Sequence, residues 1–269
     1  MVVKRKKKSA VVRSAKRFVD TKVFCFDLDG TLTESKAELE VFMARLIREL
    51  LQSRKVVIVG GGNVPQFKKQ FLRHLACTPQ EKKNLFLMPT SGASMYKFSH
   101  GKLINVYRHE LSLAEKQEIR QAFKDASHNV GFVPPKKTYG PIMEDRGTQI
   151  TFSLVGQRAP VRVKREWNKR FDSLRKRLRT ELGRKLENFE VRTGGMTSLD
   201  ITKKGIDKGY GMEQLMKRLH ISLRDMVYVG DALYKGGNDY AVVRTGVPLL
   251  KVRTYTETGE FLRRLHKLS

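Results

Sequence analysis

The stretch FCFDLDGTLT, Phe24 to Thr33, starts as an apolar run and breaks into two acids, a glycine and two threonines. A strand in a parallel sheet is covered on both faces and reads as continuous apolar sequence. Asp27 and Asp29 therefore mark the point where such a strand leaves its sheet, the carboxyl edge at which open α/β sheets bind ligands. Alternation places both acids on one side, and Gly30 lets the chain turn at once. Like charges this close repel unless a cation or a proton lies between them. The alternative is an ordinary strand closed by an acidic turn, since DG is a common turn pair.

Outward from this stretch the chain alternates β and α patterns. Ala37 to Leu51 has a helical apolar period, Val56 to Val59 reads as a β-branched strand, and Gly60-Gly61-Gly62-Asn63 follows it directly. Gln66 to Leu75 reads as helix and Leu85 to Met88 as a third strand. From about Lys102 the character changes, with strand-like pieces (LINVYRH, TQITFSLVG, FEVRTGG, TSLDIT) mixed with helices at Leu113 to Ala126 and Arg162 to Leu186. After Lys204 the first pattern returns: a helix at Gly211 to Leu219, a strand at Met226 to Val229, GDALYKGGND, a last strand near Leu249 to Val252 and a closing helix. The pattern predicts an α/β fold with a doubly wound, Rossmann-like parallel-sheet core. That core is made of residues 21–107 and 204–269, with residues 108–203 inserted as an α+β cap.

Composition narrows the class. The 269 residues are 40% hydrophobic, enough to bury a sizeable core, and no apolar run reaches membrane-spanning length. Two cysteines make no disulfide framework and no apolar leader is visible, so a soluble, cytoplasmic protein with no membrane partner is expected. Fifty-four Lys and Arg against 27 Asp and Glu give a net charge of +27. Part of it is the run KRKKK at Lys4 to Lys8, continued by Arg13, Lys16 and Arg17, so residues 1–20 read as a basic, disordered tail. Part lies between Arg162 and Lys185, where Trp167, Phe171, Leu174, Leu178 and Leu182 recur at helical spacing beneath a basic outer face. Either cluster is a footprint for nucleic acid or another polyanion, or simply a solvated surface.

Four pieces from the two halves of the core converge on one chemistry. They are the Asp27/Asp29 strand end, the glycine loop whose N–H groups can approach a phosphate, Lys208 ahead of a helix, and Gly230-Asp231 with Asn238-Asp239. Carboxylates with one lysine and a glycine loop suit Mg²⁺-assisted phosphoryl transfer. No G-x-x-x-x-G-K-[ST] loop is present, which argues against a P-loop nucleotide enzyme.

FDLDGTLT, Lys208 and GDALYKGGND together resemble the motif set of the haloacid dehalogenase superfamily of phosphohydrolases and phosphomutases. EDRGTQITF, GGMTSLDIT, KGIDK and GGNDY are most similar to its phosphomannomutase-like branch, with an α/β cap. The resemblance implies that Asp27 is the nucleophile forming an aspartyl-phosphate and that Asp29 is the general acid/base. It implies that Lys208 offsets charge, and that Mg²⁺ is bound by Asp27, Asp231 and the Asp29 carbonyl with support from Asn238 and Asp239. For the substrate it implies Lys36, the loop Gly61-Gly62-Asn63, and Arg146, Ser198 and Asp200 of the cap.

Two departures bear on the activity. The family's second motif carries a Ser or Thr, whereas this loop is Gly60-Gly61-Gly62-Asn63, so backbone amides or Asn63 would have to substitute. A second cap arginine falls at Gln157, with Arg158 beside it. A mutase must hold a bisphosphate intermediate through its reorientation, and losing a bidentate guanidinium would weaken that hold. The expectation is therefore a sugar-phosphate phosphatase, with phosphomannomutase as the alternative and a polyanion-binding protein on the same fold as a further one. A homodimer is left open.

Overall fold

The computed structural model describes residues 10–269, so the KRKKK run lies outside the described residues. The strands are β1 (Val23–Asp27), β2 (Lys55–Val59), β3 (Leu85–Met88), β4 (Ser94–Ser99), β5 (Lys102–Arg108), β6 (Met143–Asp145), β7 (Ile150–Ser153), β8 (Phe189–Thr193), β9 (Ser198–Lys203), β10 (Met226–Gly230) and β11 (Leu249–Lys251). The central sheet runs β11-β10-β1-β2-β3-β4-β5, parallel from β11 to β3 and closed at one edge by the antiparallel β4–β5 hairpin. LINVYRH thus belongs to the core sheet rather than to the insert. The chain winds from β1 outward through β2 and β3, then returns to β10 and β11 on the other side. That reversal leaves a crevice beside the carboxyl end of β1.

The apolar residues of β1 alternate between two cores. Phe24 and Phe26 pack on one face with α2 (Val41–Leu51) and, at the chain's end, with Phe261 and Leu265. Val23 and Cys25 face the opposite core, which holds Met212 and Leu215. Helix α2 starts at Val41, four residues later than the periodicity from Ala37 suggests, because Leu39 N–H is drawn to Gln70 O of a neighbouring helix. That neighbour is a composite: a helical turn at Val64–Phe67, a π turn at Lys68–Leu72 and a last turn at Arg73–Leu75.

Part of the stretch read as a disordered tail is folded. Helix α1 (Ala10–Arg13) opens it, a 3₁₀ turn follows at Ser14–Phe18, and Ala15 and Phe18 are buried in the core. Phe18 meets Phe261 edge-on at 6.0 Å between ring centroids. Three apolar positions, Val12, Ala15 and Phe18, are the reason: their burial outweighs the charge around them.

The second sheet, β6-β7-β9-β8, is antiparallel throughout. Its alternation separates two faces. Ile150, Phe152, Leu199 and Ile201 pack against the helices Leu113–Val130 and Val161–Lys185. Thr151, Ser153, Ser198 and Asp200 make up the opposite, polar face. The long helix keeps Trp167, Leu178 and Leu182 buried and Arg162, Arg165, Lys169 and Arg170 exposed, but Phe171, expected on the buried stripe, is exposed because the helix kinks at that residue (φ −129°, ψ 16°).

Candidate active site

Asp27 closes β1 with 2% of its surface exposed, at the mouth of the crevice beside β10. Lys208 opens the helix Lys208–Leu219, is 1% exposed, and donates to Asp27 Oδ1 at 2.5 Å and Asp239 Oδ1 at 2.7 Å. The helix start is fixed by Asp207, whose side chain caps Tyr210 N–H and takes two hydrogen bonds from Arg244, both 2.6 Å, and one from Arg192. Asp239 also accepts from the Tyr228 hydroxyl at 2.6 Å and from Ala232 N–H. Both its oxygens are engaged, so it braces Lys208 from behind. Gly230 is required beside it, since a Cβ there would stand 2.5 Å from Asp239 Oδ2.

The electrostatics of this group are unbalanced. Asp27, Asp231 and Asp239 present carboxylate oxygens within 4.8 Å of one another, against the single ammonium of Lys208. Burial pushes Asp27 well above the usual carboxylate range, Lys208 opposes this, and Asp239 and Asp231 add to it. Burial and Asp239 likewise push Asp231 up. Burial alone would lower Lys208, but Asp239 and Asp27 outweigh it and hold it protonated. Asp27 Oδ2 is buried with no hydrogen-bond partner. An orphaned carboxylate oxygen among hard oxygen donors with surplus negative charge fits a divalent cation of the Mg²⁺ type.

Asp29 lies two residues past the end of β1, in the turn that follows Asp27. Strand β1 ends at Asp27, and Gly30 turns the chain with φ +91°, so strand alternation no longer applies. A Cβ on Gly30 would stand 2.5 Å from Asp231 Oδ2. Asp29 Oδ1 instead accepts from Lys36 N–H at 2.5 Å and from Gln70 Nε2 at 2.9 Å. Asn238 is exposed, while its neighbour Asp239 is fully buried.

The glycine loop is built without a hydroxyl. Asn63 caps the following helix, accepting from Gln66 N–H and donating to Glu144 Oε1 at 3.2 Å. The loop carbonyls of Gly60 and Gly62 accept from Ser91 and Thr90 N–H. The N–H groups of Gly61 and Gly62 donate to no protein acceptor among the described residues.

The cap reaches this loop with its polar side. Arg146 donates to Gly61 O at 2.5 Å and to Glu144 at 2.7 Å, Gln149 reaches Gly61 O at 3.4 Å, and Thr148 meets Thr90 at 2.6 Å. Arg146, expected as a phosphate ligand, also ties cap to core, and its Nε is buried without a hydrogen-bond partner among the described residues. Asp200 is held by Thr151 at 2.8 Å and would lie 3.6 Å from a Cβ on Gly61; burial raises its pKa, with Arg146 opposing. Ser198 pairs with Ser153 at 3.0 Å on the same face. Gln157 and Arg158 belong to the cap's own loops: Gln157 bonds Thr151 O and Pro141 O, and Arg158 is exposed against Gly140. The turn around Gly156, with φ +95°, places them there, which the sequence spacing does not reveal.

Three residues at the site carried no motif. Tyr228 and Gln70 hold Asp239 and Asp29. Lys164 is 8% exposed and lies electrostatically next to Lys36 and Asp29. It precedes Trp167 by three positions, on the apolar stripe of its helix, and a lysine in that stripe is the signal that marks it.

A family model for haloacid dehalogenase-like hydrolases matches residues 24–243. A phosphomannomutase from Encephalitozoon cuniculi (strain GB-M1) is 25% identical over 234 residues, covering 82% of this chain and 83% of that protein. One from Arabidopsis thaliana is 24% identical over 221 residues, covering 81% and 85%. Among solved structures, N-terminally truncated, IMP-bound IMP-nucleotidase from Plasmodium falciparum superposes with TM-score 0.66 at 17% identity, covering 96% of this chain and 71% of that one. The C-terminal domain of trehalose-6-phosphate phosphatase from C. albicans gives 0.64 at 15% identity, covering 96% of both.

Proposed function

The chain belongs to the haloacid dehalogenase-like hydrolases, and from that premise we propose that it hydrolyses a phosphorylated sugar through an aspartyl-phosphate on Asp27. The observation that carries this reading is the Asp27 carboxylate itself, fixed by Lys208 and left with one unpartnered oxygen beside Asp231. Asp27 attacks phosphorus; the bond from phosphorus to the sugar oxygen breaks, and that oxygen takes a proton from Asp29. Asp29, now a carboxylate, takes a proton from water as the water oxygen attacks the aspartyl-phosphate, freeing inorganic phosphate and Asp27. Lys208 and the free N–H groups of Gly61 and Gly62 face the charge of the transferring group. Mg²⁺, held by Asp27 and Asp231, would polarise the phosphoryl oxygens when bound.

Water as the acceptor is favoured by the cap. Arg146 donates to Gly61 and Glu144, Gln157 bonds within the cap's own loop, and Arg158 is exposed beside Gly140. Phosphomannomutase is the second reading, favoured by the relatives of that name. Incubation with mannose 1-phosphate and Mg²⁺, with and without a sugar bisphosphate, separates the two. Release of inorganic phosphate supports the phosphatase, appearance of mannose 6-phosphate supports the mutase, and neither product rules out mannose 1-phosphate as substrate.

A further inference from the structure

The 25-residue helix Val161–Lys185 carries eleven Lys and Arg against three Asp and Glu, a net +8, and the phosphoryl transfer uses none of that charge. The other cap helix, Leu113–Val130, carries three of each. The excess is a property of this one helix, not of the cap surface at large. Like charges one turn apart destabilise a helix unless they are paired. Arg175 and Lys176 share Asp172 at 2.6 and 2.7 Å, and Arg162 and Arg184 stand 3.7 Å from Glu166 and Glu181. Arg165, Lys169, Arg170, Arg177 and Lys185 are exposed and have no acidic partner among the described residues.

Arg165, Lys169 and Arg177 fall on one i, i+4 row, with Ser173 between them. From Arg165 to Lys185 the unpaired cations extend over about 30 Å at the rise of an α-helix. Midway along, the kink leaves the Phe171 ring 41% exposed, 5.4 Å from the Trp167 ring that anchors it.

An extended polyanion fits this surface, and its details select among polyanions. Trp167, Leu178 and Leu182 are already buried in the cap's own core, so the helix has no apolar face to lay into a bilayer. A second copy of this chain docked by two-fold symmetry would set the same positive face against itself. Closely spaced cations track the phosphates of a nucleic-acid backbone. An exposed aromatic ring among them is a platform for a base, and only an unpaired base can reach it.

We propose that the outer face of the helix Val161–Lys185 docks single-stranded nucleic acid, the backbone held by the unpaired cations and a base stacked on Phe171. It does not depend on the reaction at Asp27. Fluorescence anisotropy of a labelled oligouridylate of about 20 nucleotides, titrated with the full chain at several salt concentrations, tests it. Five backbone contacts imply a log–log salt slope of about −3.5 or steeper. The triple variant Lys169→Gln, Arg170→Gln, Arg177→Gln should make the slope shallower by about 2 and weaken binding at least about tenfold in ~0.1 M salt. Phe171→Ala should weaken binding about fivefold or more, the low end of one stacked base, and leave the slope unchanged. The triple variant should turn over p-nitrophenyl phosphate like the parent and melt no lower, because its lost cations have no partners in the fold. A lower melting temperature would show those cations to be committed within the fold, against the surface. An unchanged slope in the triple variant would overturn it by assigning the binding to the basic N-terminus. No binding by the parent, tighter binding to a duplex of the same length, or Phe171→Ala without effect would also overturn it. So would preferential transfer to phosphatidylserine vesicles, or a dimer that the triple variant dissociates.

Discussion

Asp27→Asn separates chemistry from stability at a single atom. The amide keeps an acceptor for Lys208 but loses the nucleophilic charge, so turnover of p-nitrophenyl phosphate should fall by at least about a thousandfold. The melting temperature should hold, because one of three crowded carboxylates has been neutralised. Parent-like turnover would show that Asp27 is not the nucleophile. Lys208→Met should do the opposite to stability, leaving Asp27 and Asp239 buried without their counter-charge. We expect a loss of about 3–5 kcal/mol in denaturant unfolding without metal. Asp231→Ala tests the third acid: Mg²⁺ should raise the melting temperature of the parent and leave that of the variant unmoved. An equal Mg²⁺ response in both would place the cation elsewhere.

At the scale of elements, short helices are anchored to the sheet and to one another by their caps and ion pairs. The helix Pro79–Lys83 begins with a capping box, Thr78 and Glu81 satisfying each other's backbone N–H groups, and Glu81 also pairs with Arg48 of α2 at 3.2 Å. Burial alone would raise the Glu81 carboxyl, but the Thr78 N–H and Arg48 outweigh it and hold it below its ordinary 4.5. A depressed carboxyl stabilises fully above its unfolded pKa, and that stabilisation disappears as pH falls through the folded one. Glu81→Gln should therefore cost about 1–2 kcal/mol near neutrality, from a lost cap and a half-exposed ion pair. The gap between parent and variant should shrink as the solution is acidified below 4.5. A gap that is constant from pH 7 to pH 3 would mean that the Glu81 charge is not what stabilises this turn.

For the whole molecule, the basic N-terminus divides into two parts of different consequence. Phe18 and Ala15 are buried against the sheet and the C-terminal helix Tyr255–His266. Removing residues 1–19 should thus cost stability on the scale of a buried phenylalanine, about 3–5 kcal/mol. Removing only residues 1–9 takes away the KRKKK run and should leave both the melting temperature and turnover of p-nitrophenyl phosphate at parent values. It should also flatten the salt dependence of binding to a polyanion such as heparin, each lost anion contact lowering the slope by about one. Full-strength melting after the longer deletion would show that Phe18 contributes nothing to the core.

The strand end at Asp27, the glycine loop, Lys208 and Asp231 were all legible in the sequence, and so were the winding of the core and the inserted cap. Each rests on local pattern: an apolar run ending in acids, glycines after a β-branched strand, a helical period resuming after Lys204. Long-range placement was not legible. Lys208 meets Asp27 only because the sheet order sets β10 beside β1, and Asp29 is held by Lys36 N–H and Gln70 from outside β1 only because the fold brings them there. Arg146 and Asn63 look like ligands in sequence, and only the fold shows that they also bond Gly61, Glu144 and a helix cap. Lys164 looks like one charge among many in a basic helix, yet it is the buried one. Local sequence determines which groups a segment carries and how the backbone runs, whereas hydrogen-bond partners and burial are set across the cap–core seam between segments far apart in the chain.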